Sequence, residues 1–449
     1  MEKRYLIKPF LTKNYPIIDY GKGIFLYDKD GNEFLDGSSG AVTANIGHGN
    51  EDIIDAMHAQ SKKISFVYRS QFTNEPAEKL AKVLSDLAPG SLNWSFFVNS
   101  GTEAIETAMK VALQHWQEKQ KPEKQVFISR RLSYHGITIG ALSLSGFITR
   151  RERFEPLLEN YPSLSPPYCY RCPFHSTYPK CHLQCAEELE DIIERIGAKY
   201  IAAFVAEPII GAAGGAISPP NGYYQKVKEI CNRYNILFIA DEVMTGMGRT
   251  GKMFAIEHWG IIPDIMAIGK GLSGGYAPIA ATLISDEVME PIEKGSNVIM
   301  SGHTFSANPQ SCATALAVVH YTLKNKIIEE VKAKGELLMK KLAPLNKRFS
   351  FIGDVRGKGL LIGVEFVENI RLKKPYPRTW NVTQLVIDHA YEVGLLLYPA
   401  ASGQNGLDNN GILIAPPLTI TEKEIDLLVE RFAKALISTE QSLTQLERS

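Results

Sequence analysis

Five short apolar runs, Trp94 to Val98, Val126 to Ser129, Tyr200 to Ala206, Ile236 to Ala240 and Ile265 to Ile268, alternate with longer segments of helical period. That alternation constrains the chain more than any other feature. Parallel strands cannot be joined by tight turns, so each needs a crossover of the length these segments supply. The expectation is an α/β fold with a mainly parallel sheet. Its most legible crossover follows the first run, where Ile105, Ala108, Met109, Ala112, Leu113 and Trp116 recur at the 3.6-residue period and Ser100-x-x-Glu103 reads as a capping box.

After about residue 315 the pattern changes to a long helical stretch, then the apolar runs Leu360 to Phe366 and Gly394 to Tyr398, and a closing helix opened by Thr421-x-x-Glu424 with Ile425, Leu428, Val429, Phe432 and Leu436 on one face. Near the start, Ile24 to Tyr27 and Glu33 to Leu35 flank Asp30-Gly31-Asn32 as a hairpin would. Residues 1–45 are therefore expected to pack on a small C-terminal domain, 316–449, with 46–315 forming the large one. At 449 residues the chain can bury such a core and enclose a cavity. Its 49 basic and 49 acidic residues cancel, which argues against nucleic acid as a partner. The longest apolar stretch, Ile201 to Ile217, is broken by Glu207 and Pro208, so no membrane span is expected, and MEKRYLIKPF lacks the apolar core of a secretory signal. A cytoplasmic location is the expectation.

In α/β sheets chemistry gathers where strands end. The first run ends in Asn99-Ser100-Gly101-Thr102-Glu103, a small, hydroxyl-rich turn at a helix N-terminus, where backbone amides and the helix dipole suit a phosphate. Taken alone it is more often an ordinary cap. The fourth run ends in Asp241-Glu242, a buried acidic pair that needs partners. The fifth runs into Gly269-Lys270-Gly271, where flanking glycines leave room for a bulky group on the amine and a desolvated lysine can form a Schiff base. An anchor for phosphate, an acid for a ring nitrogen and an imine-forming amine together are what pyridoxal phosphate requires. Gly246-Met247-Gly248-Arg249-Thr250-Gly251-Lys252 imitates nucleotide motifs, but Met253 stands where a P-loop needs Ser or Thr, and carboxylates precede the glycines.

These residues resemble a known family. Asn99 to Ala104, Ser133-Tyr134-His135-Gly136, Ala206-Glu207-Pro208, Asp241 to Gly251 and Gly269-Lys270-Gly271 look like the ordered motifs of class III pyridoxal-phosphate aminotransferases, from Asp30-Gly31 to Ala415-Pro416-Pro417-Leu418. The resemblance implies the pyridoxal-phosphate transferase fold type I: a large, mainly parallel seven-stranded sheet domain plus a small α+β domain, in a homodimer or a dimer of dimers with shared active sites. It implies that Lys270 carries the cofactor and shuttles the proton, and that Asp241 keeps the pyridine nitrogen protonated. Tyr134 and Val243 would enclose the ring, with His135 beside it. Ser100, Gly101 and Thr102 would hold the phosphate, joined by Thr304 from the neighbouring subunit. Glu207 would support the ring's polar surroundings or serve as a structural carboxylate beside Pro208.

Glutamate-using members often carry two arginines and a masking glutamate where this chain has Ile137, Leu413 and Ala212. Their joint absence implies a more apolar pocket. Tyr20, Tyr68, Arg69 and Phe72 are candidate substitutes, either as substrate contacts together with Ile137 and Leu413 or as surface and packing residues. Cys169, Cys172, Cys181 and Cys185, four thiols within seventeen residues, could bind zinc, pair as disulfides or stay reduced, and none falls on a family catalytic position. The expected activity is transfer of an amino group from an ω-amino acid or amine to a small 2-oxo acid such as pyruvate. An epimerase, a phospho-amine lyase or a 2-oxoglutarate-using aminotransferase is the alternative.

Overall fold

The computed structural model describes residues 5–403 and 406–448. Its largest sheet has seven strands, in the spatial order Trp94–Val98, Ala280–Ile284, Ile265–Ile268, Leu237–Asp241, Ile201–Ala206, Val126–Arg130 and Ser163–Leu164. Only Ala280–Ile284 runs antiparallel to its neighbours. All five strands expected from the sequence are present within a residue or two. Ala280–Ile284 and Ser163–Leu164 were not anticipated, because an alanine-rich run and a two-residue strand carry no period to read.

The central strands are buried on both faces, as a parallel sheet covered by crossovers must be. Every residue of Ile201–Ala206 is buried. One face packs Phe204 against Phe238, ring centroids 6.0 Å apart, with Tyr224 stacked beyond them. The other carries the helix Gly101–Glu118, which buries Ile105, Ala108, Met109, Ala112 and Trp116 of its expected face and leaves Leu113 half-buried.

The chain ends build two smaller sheets. Ile352–Lys358, Leu361–Phe366, Asp408–Ile414 and Tyr398–Ser402 form an antiparallel one. Ile18–Lys22, Phe25–Asp28 and Glu33–Asp36 form another, completed by Leu395–Leu396 in parallel register. The hairpin turn is held by the Asp28 carboxylate, which accepts from the Asp30 and Asn32 amides at 3.0 and 2.8 Å. The closing helix, Glu422–Arg448, starts at a complete capping box: Thr421 Oγ1 accepts from the Glu424 amide, and the Glu424 carboxylate accepts from the Thr421 amide. The helix Pro309–Lys324 passes through residue 315 unbroken and joins two cores, with Cys312, Ala315 and Val319 in that of the large sheet and Val318 in that of the small one. The compositional change at 315 therefore marks a helix that both cores share. No helix among the described residues is long and apolar enough to cross a membrane.

Arg249 ties these parts together from inside. It is 1% exposed, and its guanidinium donates to the carbonyls of Leu360 and Pro416 at 3.0 and 2.6 Å, to Ser39 Oγ at 3.1 Å and to Asn45 Oδ1 at 2.7 Å. Burial opposes its charge, and the buried Asp36 carboxylate offsets part of that penalty. The glycine-rich stretch that imitates a nucleotide loop is thus the mount for this arginine.

The four clustered cysteines form no disulfide among the described residues, and no group of three or more potential ligands there is arranged to hold a metal. Burial pushes the Cys185 thiol up to about 12.

The contact between the helix Ile327–Arg348 and the turn before Leu361 is testable. In most helices Gly→Ala stabilises by about 1 kcal/mol. Here a Cβ on Gly335 would lie 2.2 Å from the Gly359 carbonyl oxygen, and Gly359 itself sits against the Thr250 backbone. Overpacking dominates, so Gly335→Ala should lose about 2 kcal/mol, read from the urea unfolding midpoint. A gain in stability would show that the helix can shift away from the turn.

Candidate active site

Because the strands Trp94–Val98, Ile201–Ala206, Leu237–Asp241 and Ile265–Ile268 share one direction, their C-terminal ends open on one edge of the sheet. That edge collects Asn99 to Thr102, Glu207, Asp241 and Lys270, residues scattered over more than 170 positions of sequence.

At the first strand end Ser100 caps the helix Gly101–Glu118, its hydroxyl accepting from the Glu103 amide at 3.4 Å. Glu103 turns back to the Asn99 amide, 2.7 Å away, one residue earlier than a capping box would have it. The Thr102 hydroxyl is also engaged, paired with Thr138 Oγ1 at 2.8 Å and accepting from the Ile137 amide at 3.2 Å. Thr138 gives its own proton to Glu106, so Thr102 donates to Thr138, whereas Ser100 only accepts; the donors left for an anion are the Ser100 hydroxyl and the Gly101 and Thr102 amides, at the head of an 18-residue helix. Glycine at 101 is required by packing: a Cβ there would lie 2.6 Å from Val243 Cγ1. Val243 also approaches Gly269, where a Cβ would meet Cγ1 at 3.5 Å, so this one side chain joins the anion turn to the lysine.

The acidic pair divides its work. Asp241, 4% exposed, accepts from His135 Nδ1 at 2.8 Å and from the Val243 amide at 3.1 Å. A carboxylate only accepts, so Nδ1 carries the proton; His135 Nε2 is buried and has no hydrogen-bond partner among the described residues. The imidazole is steadied through its own amide, which donates to Ser145 Oγ at 2.9 Å. Glu242 faces away, accepting from the Ile256 amide at 2.7 Å and pairing with the Thr245 hydroxyl, and burial lifts its carboxyl to about 7. Glu207 is a backbone anchor: it accepts from the Tyr134 amide at 2.9 Å and the Gly211 amide at 2.8 Å, which holds the Tyr134 loop at the sheet edge. Burial raises its carboxyl, and the His135 ring partly counters this.

Lys270 follows its strand in a left-handed conformation, φ 44°. Burial draws its ammonium down to about 8, although Asp241 and Glu207 pull the other way. No hydrogen bond engages its amine among the described residues. Of the two glycines beside it, Gly271 serves another purpose than the one expected. A Cβ on Gly271 would lie 2.2 Å from Asn45 Nδ2, the same Asn45 that accepts from Arg249, so this glycine makes room for the core.

Two free amides, a buried acceptor-only carboxylate and a lowered, unpaired lysine amine fit the phosphate, ring nitrogen and aldehyde of pyridoxal phosphate.

The candidate substrate contacts fare unevenly. Leu413 is fully buried on Asp408–Ile414, opposite Tyr398, and Ala212 is buried with its carbonyl bonded to the Ala401 amide. Ile137 is exposed on the loop that follows His135. Tyr20 stacks on Tyr27 at 4.6 Å, and Arg69 donates to the Ser301 carbonyl and lies over the Phe96 ring at 4.9 Å. Tyr68, Phe72 and Thr304 are exposed. No hydrogen bond, ion pair or ring contact links Tyr20, Tyr68, Arg69 or Phe72 to Lys270 or Asp241 among the described residues. Sequence reading missed Ser145, Thr138 and Tyr398, which no motif marks and which only the loop contacts and strand register reveal.

The family model described as aminotransferase class-III matches residues 11–436. Among curated proteins, the uncharacterised aminotransferase YodT of Bacillus subtilis is 52% identical over 98% of this chain and 99% of its own. The putrescine–pyruvate aminotransferase of Pseudomonas aeruginosa is 34% identical over 96% of this chain and 92% of its own. Among solved structures, a PLP-bound amine transaminase from an uncultivated Pseudomonas species superposes with a TM-score of 0.90 at 33% identity, covering 97% of this chain and 99% of that one.

The lowered amine can be measured without turnover. In cofactor-free protein, reductive methylation of Lys270 by formaldehyde, followed by mass spectrometry, should rise with a midpoint near pH 8. A midpoint above 10, the range of a solvated lysine, would mean that the amine is not desolvated.

Proposed function

The chain belongs to the class-III aminotransferases, a transaminase with pyridoxal phosphate as its cofactor, and on that premise we propose that it moves an amino group from an ω-amino acid or amine to a small 2-oxo acid such as pyruvate. Bound at this edge, the cofactor would supply an electron sink for the carbon that loses or gains the proton. Lys270 is the residue proposed to hold the cofactor covalently and then, released, to carry the proton on its lowered amine. Asp241, oriented by His135, would keep the ring nitrogen charged. The Gly101 and Thr102 amides would hold the phosphate, and Tyr134 and Val243 would flank the ring.

The observation that carries the substrate reading is that Leu413 and Ala212, which the family resemblance places on the pocket wall, are buried and uncharged. Leu413 is fully buried beside Tyr398, and Ala212 is fixed by a strand bond, so neither position offers a cation to a second carboxylate. An unpaired carboxylate entering such a wall loses several kcal/mol of hydration, more than two extra methylenes return. Arg69, which could otherwise swing inward, is already engaged by the Ser301 carbonyl and Phe96. The relatives agree in kind: one is a putrescine–pyruvate aminotransferase and another an amine transaminase.

A homodimer, or a dimer of such dimers, is part of the proposal, with Thr304 completing the neighbouring phosphate site. Exposed Phe66, Phe72, Met300 and Phe305 supply an apolar surface for it. Six unpaired cysteines suit a reducing, cytoplasmic setting.

Lys270→Ala should abolish turnover while cofactor still binds non-covalently, and a borohydride-reducible adduct surviving in that variant would overturn the assignment. Asp241→Asn should keep the cofactor but lower kcat by at least about a hundredfold, because an amide cannot hold a ring proton; near-normal rates would mean that another group serves the nitrogen. With one good amine donor, pyruvate should exceed 2-oxoglutarate by at least about tenfold in kcat/KM, equivalent to about 1.4 kcal/mol. Equal efficiencies would show the missing arginines replaced from elsewhere, and racemisation without acceptor would favour an epimerase.

A further inference from the structure

Two adjacent arginines follow the helix Ile139–Leu144, and they do different things. Arg151 turns inward: its Nη1 donates to the carbonyls of Leu142, Ser143 and Ser145 at 3.1, 2.7 and 2.9 Å, and its Nε pairs with Glu155 at 3.1 Å. That staple fixes the end of the segment whose Ser145 hydroxyl holds the His135 amide. Arg150 has no carboxylate partner among the described residues. It is exposed, and its guanidinium lies over the Phe147 ring at 5.8 Å. Phe147 in turn meets Tyr134 edge-on at 6.3 Å, so the cation stands one aromatic ring away from the residue proposed to flank the cofactor.

We propose that Arg150 is the carboxylate clamp of this active site, binding the single carboxylate of the 2-oxo acid acceptor or of an ω-amino acid donor. The inference rests on the aminotransferase reading above and adds the residue that replaces the charge missing at Leu413. Tyr398 lies across the strand pair from Leu413. Burial raises the phenols of Tyr134 and Tyr398, and the charge of Arg150 draws both back down, so the guanidinium is within electrostatic reach of both hydroxyls, that of Tyr398 on the strand residue opposite Leu413. A guanidinium backed by an aromatic face is less hydrated than an ammonium, and its fork of donors matches a carboxylate in two parallel bonds. One free cation serves one carboxylate. A monocarboxylate acceptor is then fully paired, whereas a dicarboxylate brings a second charge with no partner.

The test uses holoenzyme, with Arg150→Gln and Arg150→Lys as variants. Propionate, titrated as an unreactive monocarboxylate and followed by the cofactor's absorbance, should bind Arg150→Gln at least tenfold more weakly, with partial recovery in Arg150→Lys. The half-reaction with 6-aminohexanoate should lose at least tenfold in efficiency, while that with hexylamine, which has the same carbon chain and no carboxylate, changes less than twofold. Equal propionate affinity in wild type and Arg150→Gln would overturn the clamp, and so would equal losses with both amines, since that pattern marks a structural role. If propionate binding depends on Arg150 but no amine reacts with wild type, the substrate reading fails and the clamp stands.

Discussion

A buried guanidinium holds this structure together. Arg249 reaches the turn before Leu361, the Pro416 carbonyl, Ser39 and Asn45, so the large sheet's loop, two C-terminal turns and the N-terminal segment meet on one charge. Each acceptor it engages is a carbonyl, hydroxyl or amide oxygen. A cation taken from water must have nearly all its donors satisfied, and removing any one acceptor leaves a buried charge with an unmet N–H. The geometry of the three segments is therefore coupled, and the lysine turn depends on it, because the Asn45 that accepts from Arg249 also occupies the space beside Gly271.

The site edge applies the same rule to carboxylates. Glu207, Asp241 and Glu242 are all buried, and each is given a different set of donors. Glu207 takes two backbone amides and positions a loop; Glu242 takes one amide and a hydroxyl and positions another. Asp241 accepts from an imidazole and one backbone amide, which leaves part of the acceptor capacity of a carboxylate unused among the described residues. Burial then lowers the lysine amine in the same space. The amine is poised by desolvation, and the neighbouring anchors keep their loops from relaxing that environment.

Some assignments changed when the chain was seen folded. The Ser100 and Thr102 hydroxyls looked like anion ligands; the Thr102 proton is taken by Thr138, while the Ser100 hydroxyl and the main-chain amides remain as donors. Gly271 looked like clearance for a cofactor and is clearance for Asn45. The change of pattern at 315 looked like a boundary and falls inside a helix with faces in two cores. In each case the residue type was read correctly, and its partner came from a segment that local pattern cannot identify.

The sequence by itself determined what depends on neighbours along the chain. Hydrophobic period named the parallel strands and the capped helices, because burial on both faces of a strand or one face of a helix leaves a local signature. The motifs at strand ends named Lys270 and Asp241, because parallel strands must deliver their ends to one edge. Only the tertiary structure decided what depends on distant contacts: that Asp241 is oriented by His135, that Glu207 is an anchor, that Arg69 donates to Ser301 while Arg150 has no carboxylate partner among the described residues, and that Tyr398 faces Leu413. Those outcomes depend on which donors and acceptors meet in the folded interior. Pairing of that kind satisfies charge and hydrogen bonds across hundreds of residues and leaves no periodic trace in the chain.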